Sequence, residues 1–343
     1  EHDPSARGFE RSFVLPQGGA DPVGAYQAEP GHKGRSAASY REDGVPARFP
    51  VGQYSSDFYT SKMLEYLNAE ERGERPFFAY LAFTAPHWPI QAPDDVIDKY
   101  KGRYSDGPAA LHHSRLKAMQ QSLAHLIKAM GVPEDARDAF PRLNNNPDTL
   151  GRAGSFYTYG PAWAQAGAGA FSRFKSSTYE GGVRAPAIIS GPGIAAGKVE
   201  RQPLSARDVL PTLLELTVVD AGGDTLADDE TAGISWADLI GEHAASLDVE
   251  QRILAWELFF RRGVRIGDWK AVYASMNPRF RSDPGTGAAG VKWRLYNLAD
   301  DAGEQHDLAD KYPEVLGKLI AAWDRYAAAN EVTLKPPSTV PTE

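Results

Sequence analysis

The longest uninterrupted apolar run of the chain, residues 77–83, is only seven residues long. A membrane-spanning helix needs about 20 such residues, so the sequence predicts no membrane span and no membrane partner. A short apolar run rich in aromatic residues is typical of a strand that is buried on both faces of a sheet between helices. We therefore predict a strand over residues 76–83 and a second buried strand over residues 185–190.

A histidine follows the first predicted strand in a proline-braced loop, Thr84-Ala85-Pro86-His87-Trp88-Pro89. Ligand sites of open α/β sheets lie beyond the carboxyl ends of the strands, which makes His87 a candidate site residue. A loop histidine that only bonds to backbone groups is the competing interpretation. The residues alone leave both interpretations open.

Helical spacing of apolar residues predicts a helix capped by Ser55 or Ser56 and further helices over residues 111–130 and 208–216. The first fifty residues are rich in Gly, Pro and polar residues and show no persistent period. Residues 133–170 are equally poor in periodicity. We predict loops in both segments.

The pattern changes after an acidic Gly/Asp segment at residues 219–233. Beyond it, four short strand-like segments precede an amphipathic helix over residues 313–329, which predicts a small antiparallel sheet plus helix. These shifts predict an α/β domain over residues 1–250 and a C-terminal subdomain over residues 251–343.

Charge and cysteine content exclude several function classes. The chain carries 37 Lys and Arg against 45 Asp and Glu, a formal net charge of −8, which argues against nucleic acid as a partner because phosphate binding needs clustered cations. It contains no cysteine, which excludes disulfides, thiolate metal sites and a thiol nucleophile. No signal-like apolar segment stands near Glu1, so we expect a soluble protein, periplasmic or cytoplasmic in a bacterial-type parent, with the compartment left open.

Several segments together resemble the arylsulfatase family of the alkaline-phosphatase-like superfamily. They are Arg7-Gly8-Phe9-Glu10, residues 76–89, Phe174-Lys175-Ser176-Ser177-Thr178-Tyr179-Glu180-Gly181-Gly182-Val183-Arg184-Ala185-Pro186, Gly267-Asp268-Trp269-Lys270, and Leu295-Tyr296-Asn297-Leu298 with Gly303-Glu304 and Asp307-Leu308 after it. The resemblance implies an α/β, sulfatase-like mixed sheet flanked by helices, with a smaller C-terminal antiparallel sheet plus helix. It implies sulfuric ester hydrolysis through Ca²⁺ and a formylglycine made from a Cys or Ser.

Two side chains of the family's site carry over to this chain. His87 matches the histidine that contacts sulfate and helps to protonate the leaving group, and Lys175 matches the sulfate-binding lysine. A cationic pair fits the chemistry, because negative charge grows on the leaving oxygen of a sulfate ester in the transition state. Taken alone, Lys175 would be a solvated surface charge, and that interpretation stays open.

Other parts of the family pattern are absent from this sequence. It has no cysteine, no Ser-x-Pro-x-Arg segment, no paired N-terminal aspartates and no Ser-Asp-Asn-Gly segment. We therefore assign no metal ligand, and no residue supports Ca²⁺ or formylglycine. The chain is expected to be inactive or incomplete by itself. The other candidate ligands, which we interpret as turn, helix-terminus or surface residues, are Asp94-Asp95, His112-His113, Asn144 to Asn146 and Asp300-Asp301.

Two further functions stay open beside the hydrolase. One is a non-catalytic sulfatase-like scaffold that binds an anion or a partner through His87 and Lys175. The other is a phosphodiesterase or phosphonate hydrolase of the same superfamily. In each case the expected ligand is a small sulfate ester or another anion. Strands without neighbours would leave unpaired sheet edges, which predicts self-association.

Overall fold

The computed structural model divides into two compact units, Glu1–Gly160 and Pro161–Glu343, each with its own sheet and core. The predicted boundary at residue 250 stays a prediction. The predicted helix over residues 111–130, His112-His113 and Asn144 to Asn146 lie outside the described residues. The structure describes residues 3–16, 20–24, 38–69, 73, 76–87, 89–99, 151–153, 155, 160–217, 233–241, 251–258, 260–273 and 292–333.

The first unit contains a three-stranded antiparallel sheet in the order β1-β2-β3, where a loop was predicted. Asp43 and Gly44 join β2 to β3, and both have positive φ, 48° and 81°, as a two-residue hairpin turn requires. The loop prediction for the first fifty residues is therefore wrong here, because it overlooked an Asp-Gly turn signal. The elements are a 3₁₀ turn at Pro4–Arg7, β1 at Phe13–Val14, β2 at Tyr40–Glu42, β3 at Val45–Ala47, α1 at Ser55–Leu67 and α2 at Asp94–Asp98.

Aromatic rings form the core of this unit. Phe58, on the predicted and now confirmed helix α1, lies edge-on to Phe13 and to Phe49, with ring centroids 4.8 Å apart in each pair. Tyr40 and Tyr59 are buried beside them. Burial raises the pKa of Tyr59 to about 12, and it raises the pKa of Tyr40 as well, so both phenols are protonated at neutral pH.

The two apolar runs that we predicted as buried strands do not form strands. Residues 76–83 and 185–190 have irregular backbone, and Tyr80 and Ile188 are 70% and 97% exposed. A strand exists only where its N–H and C=O groups bond to a neighbouring strand, and in the part of the chain that the structure describes no strand pairs with either run. Both strand predictions are wrong for that reason.

The second unit contains a four-stranded antiparallel sheet in the sequential order β4-β5-β6-β7, as predicted for the C-terminal region. A helix at 160–167 replaces part of the loop predicted over residues 133–170. In the described part of the chain, no helix is long and apolar enough to cross a membrane. The elements are α3 at Gly160–Gly167, α4 at Glu180–Val183, α5 at Val209–Leu216, α6 at Ala237–Ile240, β4 at Ile253–Leu258, β5 at Arg261–Ile266, β6 at Trp269–Tyr273, β7 at Trp293–Asn297 and α7 at Pro313–Ala329.

Helix α7 covers one face of this sheet and closes the core of the second unit. Trp323, 1% exposed, lies edge-on to Trp293 at 6.0 Å and donates its indole N–H to the carbonyl oxygen of Trp256 at 3.3 Å. Leu319 and Ala322 share its helix face and pack on the sheet. The α/β class is confirmed, with two antiparallel sheets and helices.

Replacing Trp323 by Ala should lower the free energy of unfolding by about 3–5 kcal/mol, the usual cost of truncating a large buried aromatic residue. Urea denaturation of the purified chain measures it. Lys318→Ala, on the exposed face of the same helix, is the matched control and should stay within about 0.5 kcal/mol of the parent. Equal losses for both variants would contradict the core position of Trp323.

Candidate functional site

Lys175 stands at the exposed tip of a loop, residues 171–184, in the second unit. Arg173, two residues before the lysine, and Ser176, the residue after it, both have positive φ, 65° and 74°. The backbone therefore turns sharply on either side of Lys175. The N–H of Gly181 donates to the carbonyl oxygen of Ser172 at 2.9 Å, which closes the loop at its base. The loop therefore displays the Lys175 ammonium to solvent on a backbone of defined shape.

The two glycines of the loop are required by close backbone packing. A Cβ at Gly181 would overlap the carbonyl oxygen of Arg173, and one at Gly182 would overlap that of Ser177. Both glycines lie in the one-turn helix α4, so their role here is to let the loop fold tightly onto itself.

Strand β5 forms hydrogen bonds with the same loop. The buried Arg261 donates from Nη1 to the carbonyl oxygen of Ser176 at 2.7 Å, one residue beyond the lysine. Two residues further on, the Thr178 hydroxyl donates to the carbonyl oxygen of Arg262 at 3.2 Å. The position of Lys175 is thus set by hydrogen bonds from the C-terminal sheet.

A buried ion cluster fixes the C-terminal end of the loop. The Lys270 side chain on β6 is 0% exposed, and its Nζ lies 2.8 Å from Glu180 Oε1 and 3.0 Å from Glu304 Oε1. The other Glu304 oxygen accepts the backbone N–H of Glu180 at 2.7 Å. We call Glu180, Lys270 and Glu304 the buried triad. It joins the loop, the sheet and the turn after β7 at one point.

The triad contains two carboxylates for one ammonium in a site without solvent. Burial, together with the charge of Glu180, raises the pKa of Glu304 more than the Lys270 ammonium and the Glu180 N–H lower it. The folded protein therefore holds a proton on Glu304 more readily than an exposed glutamate would.

In the sequence, the three triad residues lie in separate segments that resemble the arylsulfatase family, and the resemblance does not indicate that they meet. The available signal was Lys270 itself, an ammonium inside the strand sequence Trp269-Lys270-Ala271-Val272. A lysine between apolar strand residues is buried only when it is paired, so a buried acidic partner could have been expected.

The other predicted site residue, His87, belongs to the first unit. Its N–H donates to the carbonyl oxygen of Thr84 at 2.9 Å in a tight turn, and the residue is half-buried. The buried Gln91 secures the segment after it by donating from Nε2 to the carbonyl oxygen of Ser155 at 2.6 Å. His87 and Lys175 thus each stand on a loop held by hydrogen bonds within its own unit.

The acidic pairs that we interpreted as helix-terminus or turn residues serve those purposes. Arg152 contacts Asp94 and Asp98 at 2.8 and 2.5 Å on helix α2. Asp301 accepts the backbone N–H groups of Gln305 and His306, each at 2.8 Å. Burial would raise the pKa of Asp301, but these two bonds prevail and lower it.

The described residues do not fit a bound Ca²⁺. Within the ranges given above, no group of three or more His, Asp or Glu side chains is placed to hold a metal ion. The full sequence also contains neither a cysteine nor a Ser-x-Pro-x-Arg segment that could supply formylglycine.

Comparison with known proteins decides the family. The Sulfatase family model matches residues 3–219, which is more than half of the chain and includes both His87 and Lys175. The chain belongs to the sulfatase family. The recognised resemblance to arylsulfatases is thereby confirmed.

Individual sulfatases resemble the chain over much of its length. An uncharacterized sulfatase of Schizosaccharomyces pombe is 29% identical over 420 aligned residues, which cover 97% of this chain and 73% of the relative. An arylsulfatase of Klebsiella aerogenes is 28% identical, with 63% of this chain and 62% of the relative covered. N-acetylgalactosamine-6-sulfatase of Mus musculus is 24% identical, with 79% of this chain and 52% of the relative covered. The chain thus spans about half to three quarters of the length of these relatives.

A solved structure supports the sulfatase fold. The crystal structure of Ps i-CgsB superposes with a TM-score of 0.57 at 18% identity, covering 95% of this chain and 68% of that chain. At this identity the likeness is evidence of fold alone, and it agrees with the predicted sulfatase-like class.

Replacing Lys270 by Met in this sulfatase should lower the free energy of unfolding by about 3–5 kcal/mol at neutral pH, because two carboxylates would remain buried without their counter-ion. Urea denaturation checks the value. Lys292→Met, which removes an exposed ammonium 3.9 Å from Asp307, is the control and should cost less than about 1 kcal/mol. A Lys270 variant as stable as this control would show that the triad is not a stabilising contact.

The raised pKa of Glu304 predicts a pH dependence. The stabilisation that its retained proton provides is fully present below the ordinary value of 4.5 and is lost as pH rises through the folded-state pKa. Glu304→Gln cannot titrate, so the unfolding free energy of the parent minus that of the variant should fall as pH rises from about 4.5 towards neutrality.

Denaturation in a series of buffers measures this difference. Glu314→Gln, the same change at an exposed glutamate on α7, is the matched control. A parent-minus-Glu304→Gln difference that grows with pH would mean that the Lys270 ammonium controls the pKa of Glu304.

Proposed function

We propose that this chain recognises sulfate esters, as a member of a family of sulfuric ester hydrolases, and that Lys175 contacts the sulfate group. For His87, which belongs to the first unit, a sulfate contact stays a prediction from the sequence. The observation that carries the proposal is the Lys175 loop. An exposed ammonium stands on a tightly braced loop inside the stretch that matches the Sulfatase family. A bracing network of this kind is unnecessary for an ordinary surface lysine.

The two side chains suit the charge changes of sulfate ester cleavage. Cleavage of the S–O bond leaves negative charge on the departing oxygen, while the sulfate oxygens remain anionic throughout. An ammonium that contacts the sulfate oxygens and an imidazolium that donates a proton to the departing oxygen both bind the transition state better than the ground state. In the family's reaction Lys175 corresponds to the first group and His87 to the second. Without a nucleophile, these groups recognise the ester and do not cleave it.

The ligand that we propose is an aryl or sugar sulfate ester. The relatives named above include an arylsulfatase and an N-acetylgalactosamine-6-sulfatase. Ps i-CgsB has been solved in complex with k-i-k-neocarrahexaose, an oligosaccharide, with a TM-score of 0.56 to this chain. These names support a sulfate ester as the ligand class and leave the rest of the molecule open.

The family generally uses Ca²⁺ and formylglycine, and neither fits the residues described here. We therefore propose that this chain by itself binds the sulfate ester without hydrolysing it, which is the scaffold function considered from the sequence. Loss of a nucleophile removes most of the rate enhancement of such sites, whereas binding contacts survive. Self-association through unpaired sheet edges stays a prediction.

A chromogenic aryl sulfate, 4-nitrophenyl sulfate, tests binding and turnover together. We expect saturable binding that Lys175→Ala and His87→Ala each weaken by about threefold to tenfold, since each removes one charged contact. Calorimetry measures binding, and absorbance measures released nitrophenolate with and without added Ca²⁺. We expect no release in either condition.

Lys318→Ala, which removes an exposed ammonium outside the loop, is the matched control for the lysine variant. Binding that neither site variant weakens would contradict the proposed recognition residues. Metal-dependent release of nitrophenolate that His87→Ala abolishes would contradict the absence of turnover. It would show that the chain is an active hydrolase.

A further inference from the structure

A polar pocket of about 570 Å³ opens in the second unit, behind the segment that leads into Lys175. Its walls are the segment at 169–173, the strand β7 and the turn that follows β7. The volume falls within the roughly 300–1,000 Å³ that is usual for small-molecule sites. The charged and phenolic residues of the lining are Arg173, Tyr179, Arg294, Tyr296, Glu304 and Asp307.

Two guanidinium groups and two phenols meet in this pocket. Arg294 Nη1 donates to the Tyr179 hydroxyl at 3.5 Å, and the Arg173 guanidinium lies 5.6 Å from the centre of the Tyr179 ring. The rings of Tyr179 and Tyr296 are 6.0 Å apart. Burial, reinforced by Tyr179, raises the pKa of Tyr296, so this phenol keeps its proton at neutral pH. Its hydroxyl is hydrogen-bonded to Tyr179 and Arg294.

The two carboxylates of the pocket already have partners of their own. Glu304 belongs to the buried triad, with Lys270 and the Glu180 N–H on its two oxygens. Asp307 Oδ1 accepts the backbone N–H groups of Leu295 and Ala309 at 3.1 and 3.0 Å, and its Oδ2 faces Lys292 at 3.9 Å. Lys270 and Lys292 thus offset part of the charge of these carboxylates, and Asp307 also acts on the Arg294 guanidinium. Arg173 and Arg294 are the cationic groups that line the pocket itself.

We propose that this pocket is a second anion site, which binds a sugar-sized molecule through one sulfate ester or carboxylate group. The planar guanidiniums of Arg173 and Arg294 match the paired oxygens of such a group. The buried phenols of Tyr179 and Tyr296 hold Arg294 in place through hydrogen bonds. The site is lined without Lys175 and without His87, the two residues of the proposed function. It therefore goes beyond the proposed function and stands independently of it.

The test is calorimetric titration of the chain in a Lys175→Ala background, which removes the candidate recognition lysine. The probes are glucose 6-sulfate, glucuronate, glucose and sodium sulfate. We expect at least one of the two anionic sugars to bind saturably below about 10 mM, and glucose and free sulfate to bind more weakly. Arg294→Gln and Arg173→Gln should each raise the dissociation constant by about tenfold, as expected for the loss of a charge-assisted hydrogen bond.

Arg325→Gln, an exposed arginine on α7 outside the pocket, is the matched control and should leave the dissociation constant unchanged. Thermal melting shows whether an arginine variant fails to fold. Tyr296→Phe, which removes only a hydroxyl group, is the second variant for that case. It should weaken binding severalfold. Failure of both anionic sugars to bind overturns the proposal, and so does binding that the pocket variants leave unchanged. Free sulfate or glucose binding as tightly as the anionic sugars overturns it too. Because every titration is made in the Lys175→Ala background, these results concern the pocket, whereas the proposed function is tested by the loss of 4-nitrophenyl sulfate binding on Lys175→Ala in the parent chain.

Discussion

The buried contact of Lys270 with Glu180 and Glu304 is the constraint on which the second unit depends. An ammonium on a central strand can be fully buried only if its charge is balanced nearby, and the two partners come from a loop before the sheet and a turn after it. The need to pair this charge therefore brings together three segments that hydrophobic packing alone would not place in a unique register. The hydrogen bond from the Glu180 N–H to Glu304 completes the junction.

A second buried ion pair works in the same way beside helix α5. Asp208 is fully buried and accepts hydrogen bonds from the Ser205 and Ile234 N–H groups and from both terminal nitrogens of Arg252. Burial would raise the pKa of Asp208, but the Arg252 contact and the backbone bonds prevail and lower it. Charged groups thus join segments in this unit where the connecting chain is irregular.

The sequence could predict elements whose signals are local, and it could not predict contacts between distant segments. The helices α1 and α7 and the strands β4 to β7 follow from periodicity within a few residues, because each pairs with its sequence neighbour or packs on the adjacent sheet. The runs at 76–83 and 185–190 have equally strong strand composition, yet strand formation depends on partners, which composition does not reveal. For the same reason the motifs pointed to Lys175 and His87 but not to the triad, whose members are 90 and 124 residues apart.

The C-terminal sheet supports the loop that carries the candidate sulfate-binding residue Lys175. The stretch that matches the Sulfatase family ends at residue 219, and it includes Lys175 and Glu180. Their supports, Arg261, Lys270 and Glu304, all come from beyond it. A one-turn helix containing two glycines has little stability of its own, so the loop cannot hold its shape without these contacts. The small antiparallel sheet is therefore best understood as the clamp that keeps the candidate sulfate-binding lysine in position.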